Sequence, residues 1–326
     1  MKILVVGYGS MGRRRIRLLN MLFKNSTIVF ICVDNNEKRL EQITKDGYCG
    51  FSNLSEAIEE KPDVAFVCTS PGHHAEIILQ IIDAGIDVFT ELNLLTNKYD
   101  EIVGKARDKG VKVFMSNTML YDKQILAIMD KVKEKRENYS YIYHVGQYLP
   151  DWHPWESYKD FFIGKKSTNG CREILAIQLP WLIKLFGQVD KFFVVRKKNT
   201  GLDIDFEDTY IITLIHESGN TGVFICDVLA RKAVQYLEIM GEHNHIIWNG
   251  TVETLLAFNN NSKQMEKMNS YDAIEHMDGY ADIINENQYF DEIKAFIDWR
   301  KGGPNPVYTL EDDKYILNLI DEIERQ

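Results

Sequence analysis

Apolar positions follow two rhythms along this chain. Through about residue 118, short continuous runs rich in Val, Ile and Phe occupy residues 3–6, 28–33, 64–68, 88–90 and 111–115. Stretches with helical spacing lie between them at 11–23, 55–60, 74–84 and 98–109. Apolar strands alternating with amphipathic helices predict a parallel sheet covered on both faces. Past a helix at 122–135 the rhythm becomes alternation, at 139–148, 191–195, 209–215, 222–228, 235–240, 245–248 and 253–259. Glu217-Ser218-Gly219-Asn220 and Gly241-Glu242-His243-Asn244 supply turns there. This predicts an antiparallel sheet built mainly of hairpins, with one helix inserted at 171–186. Two helices close the chain at 287–301 and 311–325, split by Gly302-Gly303-Pro304. The expected fold is a doubly wound α/β domain over residues 1–121, followed by an α+β domain with a large, mainly antiparallel open sheet over 122–326. The closing helix is free to pack back on the first domain.

The turn after the first strand reads Gly7-Tyr8-Gly9-Ser10-Met11-Gly12. In a βαβ unit Gly7 makes the tight turn, Gly9 admits a pyrophosphate to the backbone, and Gly12 lets helix pack on strand. The helix N-terminus then offers unpaired N–H groups to phosphate. Asp34 ends the second strand 22 residues after Gly12, where a carboxylate accepts the ribose 2′-OH. These features predict a Rossmann domain binding NAD rather than NADP, because a carboxylate repels a 2′-phosphate. Lys38 and Arg39, one helical turn on, work against that preference.

Charge and cysteine usage narrow the function classes. A net charge of −10 gives no field to attract phosphate backbones or anionic membranes, so nucleic acid and membrane are not expected partners. The five cysteines are scattered without a CxxC pair, and are expected to be reduced thiols of a cytoplasmic protein. No apolar run approaches the roughly 20 residues that span a bilayer. His243 and His245 flank a turn, His144 and His216 lie within strands, and no HExxH-type spacing occurs. No metal is expected.

In sequence order these motifs resemble the glucose–fructose oxidoreductase/inositol dehydrogenase (Gfo/Idh/MocA) family over nearly the whole chain. The resemblance rests on Arg13–Arg15 after the glycine motif and on Thr69-Ser70-Pro71-Gly72-His73-His74-Ala75-Glu76. It continues with Leu237-Glu238-Ile239-Met240-Gly241 and with Tyr289, Glu292 and Phe296 before Gly302-Gly303-Pro304. It implies that Tyr8, Ser10, Met11, Thr69, Ser70, Pro71, His74, Glu91 and Asn117 join Gly7, Gly9, Gly12 and Asp34 around the cofactor. The family's Glu-Lys-Pro motif reads Glu91-Leu92-Asn93 here, so its lysine is replaced by a side chain without acid–base chemistry. The helix that carries an aspartate and a histidine four apart in the family holds Glu173 and Ile177.

Hydride transfer from an alcohol carbon needs a group that handles the hydroxyl proton near neutrality. The segment Tyr148-Leu149-Pro150-Asp151-Trp152-His153-Pro154-Trp155-Glu156 offers His153, with Trp152 and Trp155 as faces for a sugar ring. Glu173 is the second candidate, and Arg172 and Tyr121 are candidate substrate contacts. Lys123 is a further proton-handling candidate. The expected function is an NAD-dependent oxidoreductase of carbohydrate metabolism, acting on a sugar, sugar acid or sugar nucleotide. The alternatives are a nonenzymatic NAD-binding sensor and a redox-neutral, NAD-assisted glycosidase. Alternating strands at 210–215 and 223–228 leave one sheet face to be covered, so a homo-oligomer, dimer or tetramer, is expected.

Overall fold

Strand-forming apolar runs and amphipathic helices assemble into two compact units in the computed structural model, which describes residues 1–152, 157–269 and 286–326. The first unit comprises Met1–Asn117 and Tyr289–Leu317, the second Thr118–Gln288 and Asn318–Gln326.

In the first unit β1 (Lys2–Val6), β2 (Val29–Val33), β3 (Cys49–Phe51), β4 (Val64–Val67), β5 (Asp87–Thr90) and β6 (Val113–Met115) form a sheet of order β3-β2-β1-β4-β5-β6. All five pairings are parallel. This is the dinucleotide-binding order, with the strand sequence reversing direction between β1 and β4. Four of the five residues of β1 and all of β4 are buried, as expected for strands covered on both faces. The covering helices are α1 (Ser10–Leu22), α2 (Glu37–Lys45), α3 (Leu54–Glu59), α4 (His74–Asp83) and α5 (Tyr99–Lys109). Strand β3 and helix α2 were not expected from the pattern. β3 has only three residues, and α2 spans nine residues with only Leu40 and Ile43 apolar, of which only Ile43 is buried, so neither stands out as an apolar stretch. Near the C-terminus α8 (Asn287–Arg300) brings Phe296 back to this unit. Its ring packs 5.6 Å from Phe66, 5.5 Å from Phe89 and 5.4 Å from Phe114.

The second unit holds α6 (Lys123–Lys133), α7 (Gly170–Phe186) and an eight-stranded sheet. Its strands are β7 (Ser140–Gly146), β8 (Val189–Lys197), β9 (Thr209–His216), β10 (Thr221–Asp227), β11 (Val234–Met240), β12 (His245–Trp248), β13 (Leu256–Asn259) and β14 (Gln264–Lys267), in order β14-β13-β12-β11-β7-β10-β9-β8. The sheet is mainly antiparallel, but two adjacent inner strands, β7 and β10, run parallel. That pairing needs a long crossover, which α7, β8 and β9 supply. Alternation sorts the faces. Tyr141, Tyr143, Phe224, Ile212 and Leu237 are buried together, whereas Ile142, Ile211, Phe193 and Val195 on the opposite parity are exposed. The stretch expected as one strand at 253–259 is a 3-10 turn, Val252–Thr254, followed by β13. The final helix α9 (Leu310–Arg325) contributes residues to both units.

Candidate functional site

At the end of β1, Gly7 takes φ +97°, a conformation that L side chains rarely adopt, and a Cβ there would lie 2.7 Å from the Cys68 carbonyl oxygen. A Cβ on Gly12 would lie 2.0 Å from the Gly7 carbonyl oxygen, so α1 packs this closely only on glycine. At Gly9 the nearest described atoms to such a Cβ are the Arg39 guanidinium at 3.8 Å and beyond. The backbone is therefore open on that side. No side chain among the described residues caps α1 at Gly9, and its first turn has no acid. This leaves the positive end of the helix for an anion. The cradle fits a dinucleotide pyrophosphate.

Asp34 follows β2 and is 5% exposed. Its Oδ2 accepts the Tyr8 N–H at 2.8 Å and lies 3.5 Å from Arg39 Nη1, and its Oδ1 accepts the Asn36 N–H at 3.0 Å. The carboxylate thus ties the glycine turn to the end of β2. Tyr8 itself turns inward, its hydroxyl donating to Asp46 at 2.5 Å.

The loop after β5 is fastened at both ends. Arg15, fully buried, donates to Glu91 through Nε (2.5 Å) and Nη2 (3.0 Å), to Glu292 at 2.8 Å and to Ser116 at 3.3 Å. Burial works against its charge, but Glu91 and Glu292 outweigh burial and keep it ionised. Glu292, also fully buried, is pushed up to about 7 by desolvation despite Arg15. Asn93 donates to the Tyr99 hydroxyl at 2.8 Å, and that hydroxyl donates to the buried Asp313 carboxylate, which also accepts from Tyr308 at 2.9 Å. Leu92, held between these two fastenings, is half-buried.

After β4, His74 is fully buried, and its Nε2 lies 2.7 Å from the Thr69 carbonyl oxygen. Burial drives its pKa down to about 4, so the ring is neutral and donates to that carbonyl. His74 therefore sets the position of Thr69, Ser70 and Pro71. The Thr69 hydroxyl is buried and has no partner among the described residues. Asn117, just past β6, is 3% exposed. In this unit the expected cofactor residues gather at the C-terminal ends of the parallel strands, where ligands of open α/β sheets bind.

A second constellation lies within the other unit, where β7 and β10 end side by side at Gly146 and Asp227. The backbone of Tyr148 donates to the Ala230 carbonyl at 2.7 Å and that of Leu149 to Val228 at 2.9 Å, so the loops after the two strands are zipped together. Gly170 opens α7 against them, where a Cβ would lie 2.8 Å from Val228, 3.1 Å from Leu149 and 3.4 Å from Trp152. Trp152 donates its indole N–H to the Gln147 carbonyl at 2.9 Å. One helical turn into α7, Glu173 is half-buried overall, but its Oε2 is sealed and has no partner among the described residues. Desolvation pushes its carboxyl up to about 8. Tyr121 lies in a 3-10 turn before α6, and Lys123 opens that helix. His153 and Trp155 fall outside the described residues.

Arg172, expected as a substrate contact, is placed otherwise. Its side chain is 5% exposed, and its guanidinium pairs with Asp321 at 2.6 Å and with Glu324. It fastens the end of α9 to the start of α7. Sequence reading passed over Asp227 and Arg231. Their setting depends on the parallel β7–β10 pairing, which local periodicity does not reveal. His216 bonds Tyr141 and the Gly187 carbonyl as a core residue. Glu137, Glu242 and His243 bring ligand-type atoms within 4.8 Å of one another, and Glu137 there accepts the His243 backbone N–H at 3.0 Å. No helix among the described residues is long and apolar enough to cross a membrane.

Residues 1–117 match an oxidoreductase family with an NAD-binding Rossmann fold, GFO_IDH_MocA. The chain is 32% identical over 123 residues to a 4-hydroxy-tetrahydrodipicolinate reductase of Staphylococcus saprophyticus, covering 37% of this chain and 45% of that protein. It thus spans less than half the length of that curated relative. Solved structures extend the likeness to the whole chain. The WlbA dehydrogenase of Bordetella pertussis, in complex with NADH and UDP-GlcNAcA, has a TM-score of 0.78 at 18% identity, covering 100% of this chain and 94% of that one. The UDP-N-acetylglucosamine 3-dehydrogenase of Acidithiobacillus ferrooxidans has a TM-score of 0.76 at 12% identity, covering 100% and 97%. At these identities the likeness is one of fold.

Proposed function

We propose an NAD-dependent oxidoreductase acting on a sugar-type hydroxyl, on the premise that residues 1–117 belong to the Gfo/Idh/MocA oxidoreductase family with its NAD-binding Rossmann fold. The two neighbours named above act on or bind sugar nucleotides by their descriptions, which supports this substrate class for the present chain.

When bound, NAD supplies the hydride acceptor. The chain's own residues supply the rest. Gly7, Gly9, Gly12 and the N-terminus of α1 receive the pyrophosphate, and Asp34 accepts a ribose hydroxyl. Leu92 holds no proton, so another side chain must handle the hydroxyl proton. The observation that carries the assignment is Glu173: a carboxyl with a sealed oxygen that has no partner among the described residues, and a pKa of about 8, exchanges a proton near neutrality. His153 suits the same task by its imidazole chemistry.

The test is a panel of UDP-sugars, sugar acids and neutral sugars incubated with NAD and read at 340 nm. At least one should form NADH. Glu173→Gln or His153→Ala should lower that turnover by on the order of 10²-fold while leaving NAD affinity nearly unchanged. NAD binding without turnover of any panel member would favour the sensor reading, which the apolar Leu92 supports.

We also assign the open face of the eight-stranded sheet to a second copy of this chain. Ile142 (38% exposed), Phe193 (63%), Val195 (65%) and Ile211 (43%) share that face. Its acids are paired: Asp227 lies 2.6 Å from His144, and Glu238 bonds Tyr236 at 2.6 Å and His245 at 2.8 Å. An apolar surface whose acids are paired suits burial against its own copy. Light scattering should give a dimer or larger at micromolar concentration, and Phe193→Asp should shift it toward monomer. A wild-type monomer would refute this assignment.

A further inference from the structure

Asp227 does more than end a strand. Gly146 faces it across the parallel pair, and a Cβ on Gly146 would lie 2.6 Å from an Asp227 carboxylate oxygen, so only glycine leaves this space. The carboxylate folds back over its own turn, with Oδ1 accepting the N–H groups of Leu229 (3.0 Å) and Ala230 (2.8 Å). Its Oδ2 lies 2.6 Å from His144 Nε2. With Ala230 also bonded to Tyr148, the backbone is fixed up to the residue before Arg231.

Arg231 is 71% exposed, and its guanidinium carbon lies 4.0 Å from the centroid of the Tyr148 ring. Its one carboxylate neighbour among the described residues is Asp151, at 4.0 Å and 49% exposed. No described residue accepts a hydrogen bond from its guanidinium. An exposed pair at that distance is worth little, and stacking on tyrosine at such a site contributes about 0.5–1 kcal/mol. What stacking does supply is orientation. A guanidinium held this close over a ring is restricted in position while its N–H groups stay available for two parallel bonds to a phosphate or carboxylate. The same loops carry Trp152 against the start of α7, one turn before Glu173.

We propose that Arg231, held on Tyr148, is an oxyanion-binding residue of the second unit, and that the substrate carries a phosphate or carboxylate group besides its reacting hydroxyl. This rests on the sugar-type reading above and narrows it to an anionic sugar. Tyr148 and Asp227 act as positioning residues: one orients the guanidinium, the other fixes the turn that carries it.

The test is calorimetric titration of the full chain, saturated with NAD, with UDP, glucuronate and glucose in turn. UDP or glucuronate should bind, and which of them does identifies the anion as phosphate or carboxylate. Arg231→Gln should weaken that probe by on the order of tenfold or more, with Arg231→Lys retaining part of the affinity and NAD affinity unchanged. Tyr148→Leu should weaken the probe as well, whereas Tyr148→Phe, which keeps the ring, should not. Binding of neither anion, equal anion affinity in wild type and Arg231→Gln, or equal loss for glucose would overturn the proposal. Arg231-dependent anion binding without NADH formation from any sugar sinks the oxidoreductase reading and leaves this one standing. Turnover whose KM ignores Arg231→Gln does the reverse.

Discussion

Each unit contains a buried arginine that grips two carboxylates, at least one of them from the C-terminal helices, yet the two sites differ in kind. Arg15 holds Glu91 and Glu292, whose side chains are 10% and 0% exposed. Arg172 holds Asp321 and Glu324, at 32% and 21%. Around Arg15 every charge has left water, so each depends on the others. Around Arg172 water still screens the acids, and losing the arginine strands less charge. A buried arginine beside a functional motif is thus no sign of substrate binding. What separates the two is how much charge would be left without compensation.

Arg15→Ala should be the most damaging change, because Glu91 and Glu292 would be left buried without their cation. A loss of about 3–5 kcal/mol is expected in urea unfolding, and a loss below ~1 kcal/mol would erase the contrast. Asp34→Ala removes the acceptor of the Tyr8 N–H and of a ribose hydroxyl. NAD affinity should fall by about 1.5–3 kcal/mol, on the order of 10- to 100-fold, and the preference over NADP should narrow. Tighter NADP binding by the unaltered protein would overturn the role given to Asp34. Arg172→Ala should cost about 1–2 kcal/mol with NAD affinity untouched. A loss matching that of Arg15→Ala would make the two arginines equivalent.

The last effect depends on pH and concerns Glu173. Its carboxyl keeps a proton up to about pH 8 in the folded chain but releases it near 4.5 when unfolded. Between those values the folded state binds more protons, so stability falls as pH rises through that window. Glu173→Gln should therefore raise Tm at pH 8 and leave it unchanged at pH 4. An equal shift at both values would mean that the carboxyl does not titrate there.

What could be read from the sequence was what is local along the chain. Gly7, Gly9 and Gly12 lie within six residues, and their roles follow from one turn and one helix start. Asp34 could be placed because a βαβ unit fixes its distance from the glycines. The partners of Arg172, Asp321 and Glu324, were not legible because they lie about 150 residues away in the chain. A basic residue at a helix start looks the same whether it meets a ligand or another helix. The parallel pairing of Ser140 with Thr221 spans 81 residues, and Arg231 gains its setting only from that pairing. β14 escaped notice because it alternates almost no apolar residues: Gln264, Glu266 and Lys267 are exposed.

The return of α8 to the first unit affects synthesis. Phe296 completes an aromatic cluster with Phe66, Phe89 and Phe114, and Glu292 completes the partners of Arg15. A ribosome adding roughly 5–20 residues per second finishes β6 on the order of 10–40 s before it delivers Phe296. During that interval the nascent first unit has its full parallel sheet but exposes an apolar gap and an incompletely paired arginine. A nascent chain halted after residue 117 should therefore be held by chaperones and readily cut by proteases, and resistance should appear only once α8 has cleared the exit tunnel.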